Sequence, residues 1–174
     1  RTPTGKAELF STTMEKFGYD PLPDHVEPNE GPYSTPELLK DYPLILSASL
    51  RTPYFFLSQH RQVPWLRELH PHPIVQIHPE TAKKLDISDG DWVWIETPRG
   101  RIKQKAQFFA GIDPRVVMAQ QSWWYPERND EEGLWESNVN VLTTSDLPAD
   151  PAVGSTTFRA LLCKIYRVEE ANDG

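Results

Sequence analysis

Proline is the residue that most constrains what this chain can fold into. The sequence has 17 prolines and nine glycines among its 174 residues. Because proline lacks a backbone donor and breaks helix interiors, this frequency favours strands, turns and ordered loops over a helical bundle. A chain of this length can bury a core of its own, so we expect one main domain.

Short runs with strand-like patterns lie between the prolines. Some are continuously apolar, as in residues 43–46, and others alternate apolar with polar side chains. In residues 101–109 the alternation points Ile102, Ala106 and Phe108 inward. A further short strand is predicted at residues 4–10. The main predicted strands are 43–46, 74–78, 91–97, 101–109, 115–120 and 157–168, and the predicted helices are 63–69 and 79–85.

Short strands with two small helices between them indicate a mainly β chain that closes into a compact barrel, rather than a layered α/β sheet. Residues 1–42 are rich in proline, glycine and charge, and we expect them to form an extended N-terminal arm that packs on the barrel. Residues 43–174 would form the barrel domain. The chain begins at Arg1 without an initiator methionine, which predicts a fragment of something longer.

The first predicted strand leads into the candidate ligand segment. After residues 43–46 the chain changes to small residues, with a lone cation at Arg51 and a turn signal at Pro53. If the strand ended here, open backbone amides beside a positive charge would suit an anionic, nucleotide-like ligand. The alternative is a buried strand followed by an ordinary loop.

Composition excludes several kinds of site. The net charge of −7 argues against a nucleic-acid-binding surface, and no apolar stretch is long enough to predict insertion into a membrane. The one cysteine, Cys163, excludes an internal disulfide and any multi-cysteine iron–sulfur or zinc site. His70, His72 and His78 lack a carboxylate or cysteine at useful spacing, so no metal site is predicted.

A series of segments in a fixed order resembles a known family. The segments are TPTGKAELFS, YPLILSASLR, SQHR, IHPETAKKLDISDGDWVWIETPRGRI, SWW, NVNVLTT and FRALLCKI. Together they resemble the C-terminal molybdopterin-dinucleotide-binding domain of the dimethyl-sulfoxide-reductase family, molybdenum and tungsten oxidoreductases that include formate dehydrogenases and nitrate reductases. The resemblance covers essentially the whole chain. It implies a six-stranded double-psi β-barrel and one or both molybdopterin guanine dinucleotides as ligand.

The resemblance also assigns candidate cofactor-binding residues. Where the family usually has Thr-Gly-Arg, this chain has Ala-Ser-Leu-Arg, without the glycine and with one extra residue. The family's aromatic residue matches Trp123 or Trp124, of which we choose Trp124, and its asparagine matches Asn140 with Asn138 as the near alternative. The full set is Ser47, Ala48, Ser49, Leu50, Arg51, Phe56, Ser58, Gln59, Arg61, Trp124, Asn138, Asn140 and Arg159.

These residue types suit such a ligand. A guanidinium can engage a pyrophosphate bidentately, an Asn or Gln amide can pair with a pterin or guanine edge, and a tryptophan offers a flat apolar wall. Each also has a purely structural interpretation. Arg51 and Arg159 could be surface charges, and Asn138 and Asn140 could form turns. The tryptophan could belong to the hydrophobic core.

The sequence therefore predicts a cofactor-binding domain of a larger oxidoreductase. We expect this domain to contribute no catalytic residue and to catalyse no reaction in isolation. The resemblance implies molybdenum or tungsten held through the dithiolenes of the cofactor, with the ligand residue outside this chain. The expected partners are the remaining domains of the parent, including an iron–sulfur domain. A formate-dehydrogenase-like parent is favoured. A cytoplasmic location is also favoured, with a periplasmic one as the alternative if the parent has a twin-arginine signal. The alternatives are a stand-alone barrel subunit, or a substrate-recognition or assembly barrel without cofactor, like those on chaperone ATPases.

Overall fold

A closed barrel of six strands forms the centre of the computed structural model, which describes residues 2–22, 24–145 and 149–169. Around the barrel the strands follow the order β1-β5-β2-β4-β3-β6. The strands are β1 (Leu44–Leu50), β2 (Ile74–Ile77), β3 (Trp92–Thr97), β4 (Gly100–Phe108), β5 (Val116–Gln120) and β6 (Leu161–Arg167). The helices are α1 (Thr12–Lys16), α2 (Pro64–Leu69), α3 (Pro79–Lys84) and α4 (Glu131–Trp135), and 3₁₀ turns lie at Pro36–Lys40 and Val139–Leu142.

The strand pairing is mixed. β1 pairs in parallel with β5, and β2 pairs in parallel with β4. The other four ladders of the described barrel are antiparallel, and among the six ladders only β3–β4 joins consecutive strands. The predicted fold, a mainly β chain with small helices forming a six-stranded double-psi β-barrel, is confirmed.

Aliphatic side chains fill the barrel. Inward positions alternate along the strands, as at Val93, Ile95 and Ile102, which are fully buried. α3 closes one side of this core through Ala82. Cys163 also lies in it, and burial raises the pKa of its thiol, so the thiol stays protonated and unreactive.

The two helices predicted from proline are present. Pro64 and Pro79 stand at the first positions of α2 and α3, where a missing N–H has no helical partner to lose. His78, predicted as the end of a strand, instead caps α3: its Nδ1 accepts a hydrogen bond from the backbone N–H of Glu80 at 3.2 Å. Side-chain capping thus ends the strand at Ile77.

Three local predictions are wrong. Residues 4–10 form turns rather than a strand, because the Glu8 carboxylate accepts hydrogen bonds from the backbone and hydroxyl of Thr4 and no strand among the described residues pairs with this segment. Phe108 is 38% exposed instead of inward, because it ends β4 beyond the core. The last strand begins at Leu161 rather than at residue 157.

One side chain of the predicted arm, Glu30, is hydrogen-bonded to the barrel. The Glu30 carboxylate accepts two hydrogen bonds from the guanidinium of Arg99, at 2.7 and 3.1 Å, and one from the backbone N–H of Leu162 at 2.7 Å. Arg99 lies in the turn between β3 and β4, and Leu162 lies in β6. The contact thus joins residue 30 to two separate parts of the barrel.

Candidate functional site

The predicted ligand segment forms a β-bulge rather than a loop. β1 continues past Leu46 to Leu50, so the expected end of the strand is wrong. Ser47 is paired with Met118 of β5, whereas Leu50 is paired with Gln120, which leaves one extra residue in β1. The N–H of Ala48, expected to be open, donates to the carbonyl of Phe158 at 3.0 Å. The bulge lies in the segment where the sequence departs from the family's usual pattern.

Two cavities flank the bulge. The first has a volume of about 290 Å³, and the second about 390 Å³. Gln121, which follows β5, lines both. Of the predicted binding residues, the first cavity is lined by Leu50, Arg51, Phe56 and Arg61, and the second by Ala48 and Asn140.

Arg61 places a buried positive charge at the first cavity. The residue is 1% exposed, and its guanidinium donates to the carbonyls of Leu57, Gln59 and Gln121. Burial, and then the charge of Arg67, lower the pKa of Arg61 to about 10, so the group stays protonated at neutral pH. Its Nε has no partner, and it forms no ion pair with a carboxylate within the described ranges. The charge is therefore held by neutral acceptors alone.

The backbone around Arg61 is strained. Leu57 and His60, on either side of Ser58 and Gln59, have φ angles of 49° and 73°, and Ser122 in the facing loop has a φ of 58°. Left-handed conformations of residues other than glycine cost about 1–3 kcal/mol each and concentrate at functional sites. The carbonyl of Leu57 accepts from Arg61, so the buried guanidinium helps to hold this shape.

The two candidate tryptophans lie in different environments. Trp123 is fully buried and packs edge-on against Phe55 and Tyr125, at ring-centroid distances of 5.7 and 5.8 Å. Trp124 is half-buried, and its Nε1 donates to the carbonyl of Ser58 at 2.8 Å. Trp123 is therefore a core residue, whereas Trp124 joins the loop that follows β5 to the loop of residues 56–61.

The predicted asparagines also separate. The Oδ1 atom of Asn138 accepts from the N–H of Asn140 at 3.0 Å, which caps the 3₁₀ turn Val139–Leu142. Asn140 is exposed and lines the second cavity. Asn138 thus caps the turn, whereas Asn140 is the one of the two that could contact a ligand in this cavity.

The remaining predicted residues line neither cavity. The guanidinium of Arg159 lies 5.5 Å from the ring centroid of Phe158, which lines the second cavity. The hydroxyls of Ser47 and Ser49 are 2.9 Å apart on the side of β1 opposite to Ala48. Ser58 and Gln59 are exposed next to Arg61, and their backbones rather than their side chains make the contacts described above.

Sequence reasoning missed a buried polar network behind the first cavity. Gln120 lines that cavity, and its Oε1 atom is 2.8 Å from Nε2 of His70 and accepts from the N–H of Ile74 at 3.1 Å. The side chain of Gln104 bonds both the N–H and the carbonyl of Gln120, at 3.0 and 2.9 Å. The only hint in the sequence is a glutamine at an inward position of β4, between Ile102 and Ala106.

His70 is fixed as a neutral donor in this network. Burial is the main cause that lowers its pKa, and the charges of Arg61 and Arg67 add to it, against the hydrogen bond with Gln120. Because Oε1 of Gln120 can only accept, the proton of neutral His70 lies on Nε2. Within residues 2–22, 24–145 and 149–169, no three histidine, cysteine or acidic side chains gather in a way that could hold a metal ion. Nor does any helix in those ranges have the length and apolarity needed to cross a bilayer.

Comparison with known proteins bears on this site. The family model described as "Molydopterin dinucleotide binding domain" matches residues 44–162. The dopamine dehydroxylase of Eggerthella lenta is 42% identical over 176 residues, covering 98% of this chain and 17% of the dehydroxylase. The acetylene hydratase of Syntrophotalea acetylenica is 38% identical over 173 residues, covering 95% of this chain and 24% of the hydratase.

A solved structure agrees with these relatives. The acetylene hydratase from Pelobacter acetylenicus superposes with a TM-score of 0.82 at 37% identity, over 96% of this chain and 24% of that one. The chain thus spans about a sixth to a quarter of the length of these relatives. The matched region includes β1 to the start of β6, and therefore both cavities.

Proposed function

Because the chain belongs to the molybdopterin-dinucleotide-binding domains of the dimethyl-sulfoxide-reductase family, we propose that it holds the dinucleotide across the β1 bulge. The family binds molybdopterin dinucleotide. The proposal concerns where this chain does so. The two cavities on either side of the bulge, joined at Gln121, are the place that its own residues favour.

The uncompensated charge of Arg61 carries this proposal. A buried cation is normally paired with an anion, because removing it from water is costly. Here its partners in the described ranges are carbonyls, and Arg51, also at the first cavity, has no ion pair there either. A pyrophosphate would supply the missing anion, with charge-assisted hydrogen bonds to a guanidinium. The residues present therefore fit the dinucleotide.

The second cavity has a different character. Its lining includes Asn140, Thr143, Ser145 and Thr156, which are uncharged side chains that can both donate and accept hydrogen bonds. Such groups suit a purine or sugar edge better than a phosphate. The proposal therefore assigns the charged part of the dinucleotide to the first cavity and an uncharged polar part to the second.

When bound, the cofactor supplies metal-centred redox chemistry through its dithiolene-held molybdenum or tungsten. The residues of this chain bind and orient it. Arg61 is fixed by three carbonyls and two aromatic rings, so its charge needs little rearrangement to meet an anion. Trp124 bonds the carbonyl of Ser58 and so fixes the 56–61 loop, which lines the first cavity through Phe56, Leu57 and Arg61. The metal's protein ligand and the groups that handle protons belong, in this proposal, to other parts of the parent enzyme.

The activity of the parent is a further proposal. The chain matches only a fraction of each relative's length, so we propose that it works with the remaining domains of a larger oxidoreductase, including an iron–sulfur domain. The two relatives are named for dopamine and for acetylene, so the binding domain alone does not select a substrate. The formate-dehydrogenase-like parent stays a prediction, as do the cytoplasmic location and the periplasmic alternative for a parent with a twin-arginine signal.

Titration of the 174-residue chain with guanosine diphosphate, followed by NMR, tests the proposed site. We expect shifts at the amides of Arg51, Gln121 and Asn140. Arg51→Ala removes an exposed cation that can reach a phosphate, and should weaken binding about tenfold, the value of one charge-assisted hydrogen bond. Arg115→Ala is the matched control, because Arg115 is exposed but already paired with Asp113 at 3.0 Å.

Two results would count against the proposal. Shifts confined to residues outside both cavities would place the nucleotide elsewhere. Equal affinities for wild type, Arg51→Ala and the double variant Arg51→Ala/Arg159→Ala would favour a barrel that recognises substrates or assembles complexes without a cofactor.

A further inference from the structure

The second cavity has two walls that are not strands. One is the segment from Val139 to Ser145, and the other is the segment that runs from Thr156 through Phe158 into β6. The third wall is formed by Ala48 in the β1 bulge with Gln121 and Ser122 after β5. The barrel ladders fix Ala48, and the N–H of Gln121 donates to the carbonyl of Leu50 at 3.1 Å. The width of this cavity therefore depends on what holds the two irregular walls.

A single ion pair bonds the backbone next to both irregular walls. Nε of Arg99 donates to the carbonyl of Leu142 at 2.8 Å, next to the cavity residue Thr143. The same guanidinium is paired bidentately with Glu30, whose carboxylate accepts from the N–H of Leu162 at 2.7 Å, in the part of β6 that continues from the second wall. Leu142 and Leu162 are both fully buried, so neither backbone group has water as an alternative partner.

The surroundings leave this ion pair little freedom. The side chains of Arg99 and Glu30 are 22% and 15% exposed. The hydroxyl of Thr97 donates to the same Leu142 carbonyl at 3.1 Å. A Cβ atom at Gly100 would lie 2.9 Å from Cγ1 of Val141, so the β3–β4 turn packs directly against the 3₁₀ turn. The pair is thus fixed to the hairpin on one side and to both cavity walls on the other.

We propose that Glu30 and Arg99 are positioning residues that set the width of the second cavity and so the affinity for the part of the dinucleotide it receives. Neither residue lines the cavity, and each acts through a backbone group next to one of the walls. The inference rests on the proposed function for the identity of the ligand. Its geometric part, that one ion pair bonds backbone groups next to both walls, stands on the contacts alone.

Amide hydrogen exchange in the 174-residue chain, with and without guanosine diphosphate, tests this role. Arg99→Lys keeps the charge but cannot bond Glu30 bidentately and Leu142 at the same time. We expect the amides of Val141 and Leu162 to exchange about tenfold faster and the nucleotide affinity to fall about fivefold, as the loss of one or two hydrogen bonds implies. The amides of Ile95 and Val117 should exchange as in wild type. Arg115→Lys, the same change at an exposed ion pair, should alter none of these.

A second variant keeps the inference testable if Arg99→Lys does not fold. Glu30→Gln keeps an acceptor for the Leu162 N–H but removes the charge that orients Arg99. The exchange rate of Val141 should then rise more than that of Leu162.

Three outcomes would overturn the inference. They are unchanged exchange at Val141 and Leu162, an equal rise at Ile95 and Val117, and unchanged nucleotide affinity despite faster exchange at both walls. If wild type itself fails to bind the nucleotide while the exchange pattern appears as expected, the proposed function fails and the assignment of the ion pair to both walls is retained.

Discussion

Aliphatic side chains from the six strands fill the barrel, whereas aromatic rings and two arginines form the packing beside the first cavity. We call the second group the aromatic cluster: Phe55, Trp123, Tyr125, Arg61 and Arg67. Within the described ranges, the buried side-chain polar atoms without a partner are Nε of Arg61, Nη1 of Arg67 and Nε1 of Trp123, all in this cluster. Within the described ranges, the barrel core is therefore the more completely buried of the two, and the aromatic cluster contains the buried polar atoms that lack partners.

The difference in composition indicates that the two regions contribute differently to stability and to ligand binding. An apolar core is stabilised by burial whether or not a ligand is present. A cluster with one buried cation that lacks an anion, Arg61, and with unpaired donors gives up stability when empty, and such groups gain most when an anion arrives. We infer that the barrel core contributes most of the stability and that the aromatic cluster contributes mainly to ligand binding.

Truncating a side chain of the barrel core should change the free energy of unfolding more than any other substitution considered. Ile95 is fully buried in β3, so Ile95→Ala leaves a cavity and should lower the free energy of unfolding by about 2–5 kcal/mol. Urea denaturation measures this. Val153→Ala, at a residue 77% exposed, is the control and should change the free energy of unfolding by less than about 0.5 kcal/mol. A loss at Ile95 as small as that of the control would mean that the core does not dominate.

Removing the buried charge should separate stability from binding. Arg61→Met keeps apolar volume between Phe55 and Trp123 while deleting a cation that lacks a carboxylate partner. We expect the free energy of unfolding to change by less than about 1.5 kcal/mol, and the affinity for guanosine diphosphate to fall about tenfold or more. Arg115→Met should change neither. Destabilisation as large as that of Ile95→Ala, with affinity intact, would make the aromatic cluster a second core.

Acidification should lower stability through His70, whose ring packs against Phe55 and Trp123 of the aromatic cluster. The pKa of His70 is lowered in the folded chain, chiefly by burial, so the unfolded chain binds the proton more readily. The stability that neutral His70 contributes is present above its unfolded pKa, about 6.5, and is lost as the pH falls through the lower folded pKa. Denaturation midpoints measured from pH 7.5 to pH 5 should show this fall. His70→Gln should flatten it, and an equal slope in that variant would assign the effect to other groups.

The barrel could be predicted from sequence because its strands obey simple alternation. Val93 and Ile95 point inward and Trp92 and Trp94 outward, as period-two patterning requires. The pairing of β1 with β5 could not be read this way, because alternation specifies a strand's faces but not its neighbours. Phe108 was misplaced for a related reason: the pattern continues past the point where the barrel core ends.

The site was predicted only in part. Arg51, Arg61 and Asn140 were found through the resemblance and line the cavities. Gln104 and Gln120 were missed, because a polar side chain at an inward position looks like an exception until its partner is known. The contribution of Glu30 was equally hidden, since it depends on an ion pair with a residue far along the chain.

The order of strands around the barrel also governs when the domain can form. Only the β3–β4 ladder of the described barrel is local, and every other ladder joins strands that are distant in sequence. β6 closes the ring by pairing with both β1 and β3. Folding that depends on distant pairings is slow, and during synthesis β1 must wait for β5 and β6 to leave the ribosome. Both cavities are built on β1, β5 and the approach to β6, so a nascent chain has no complete binding site until its last strand emerges.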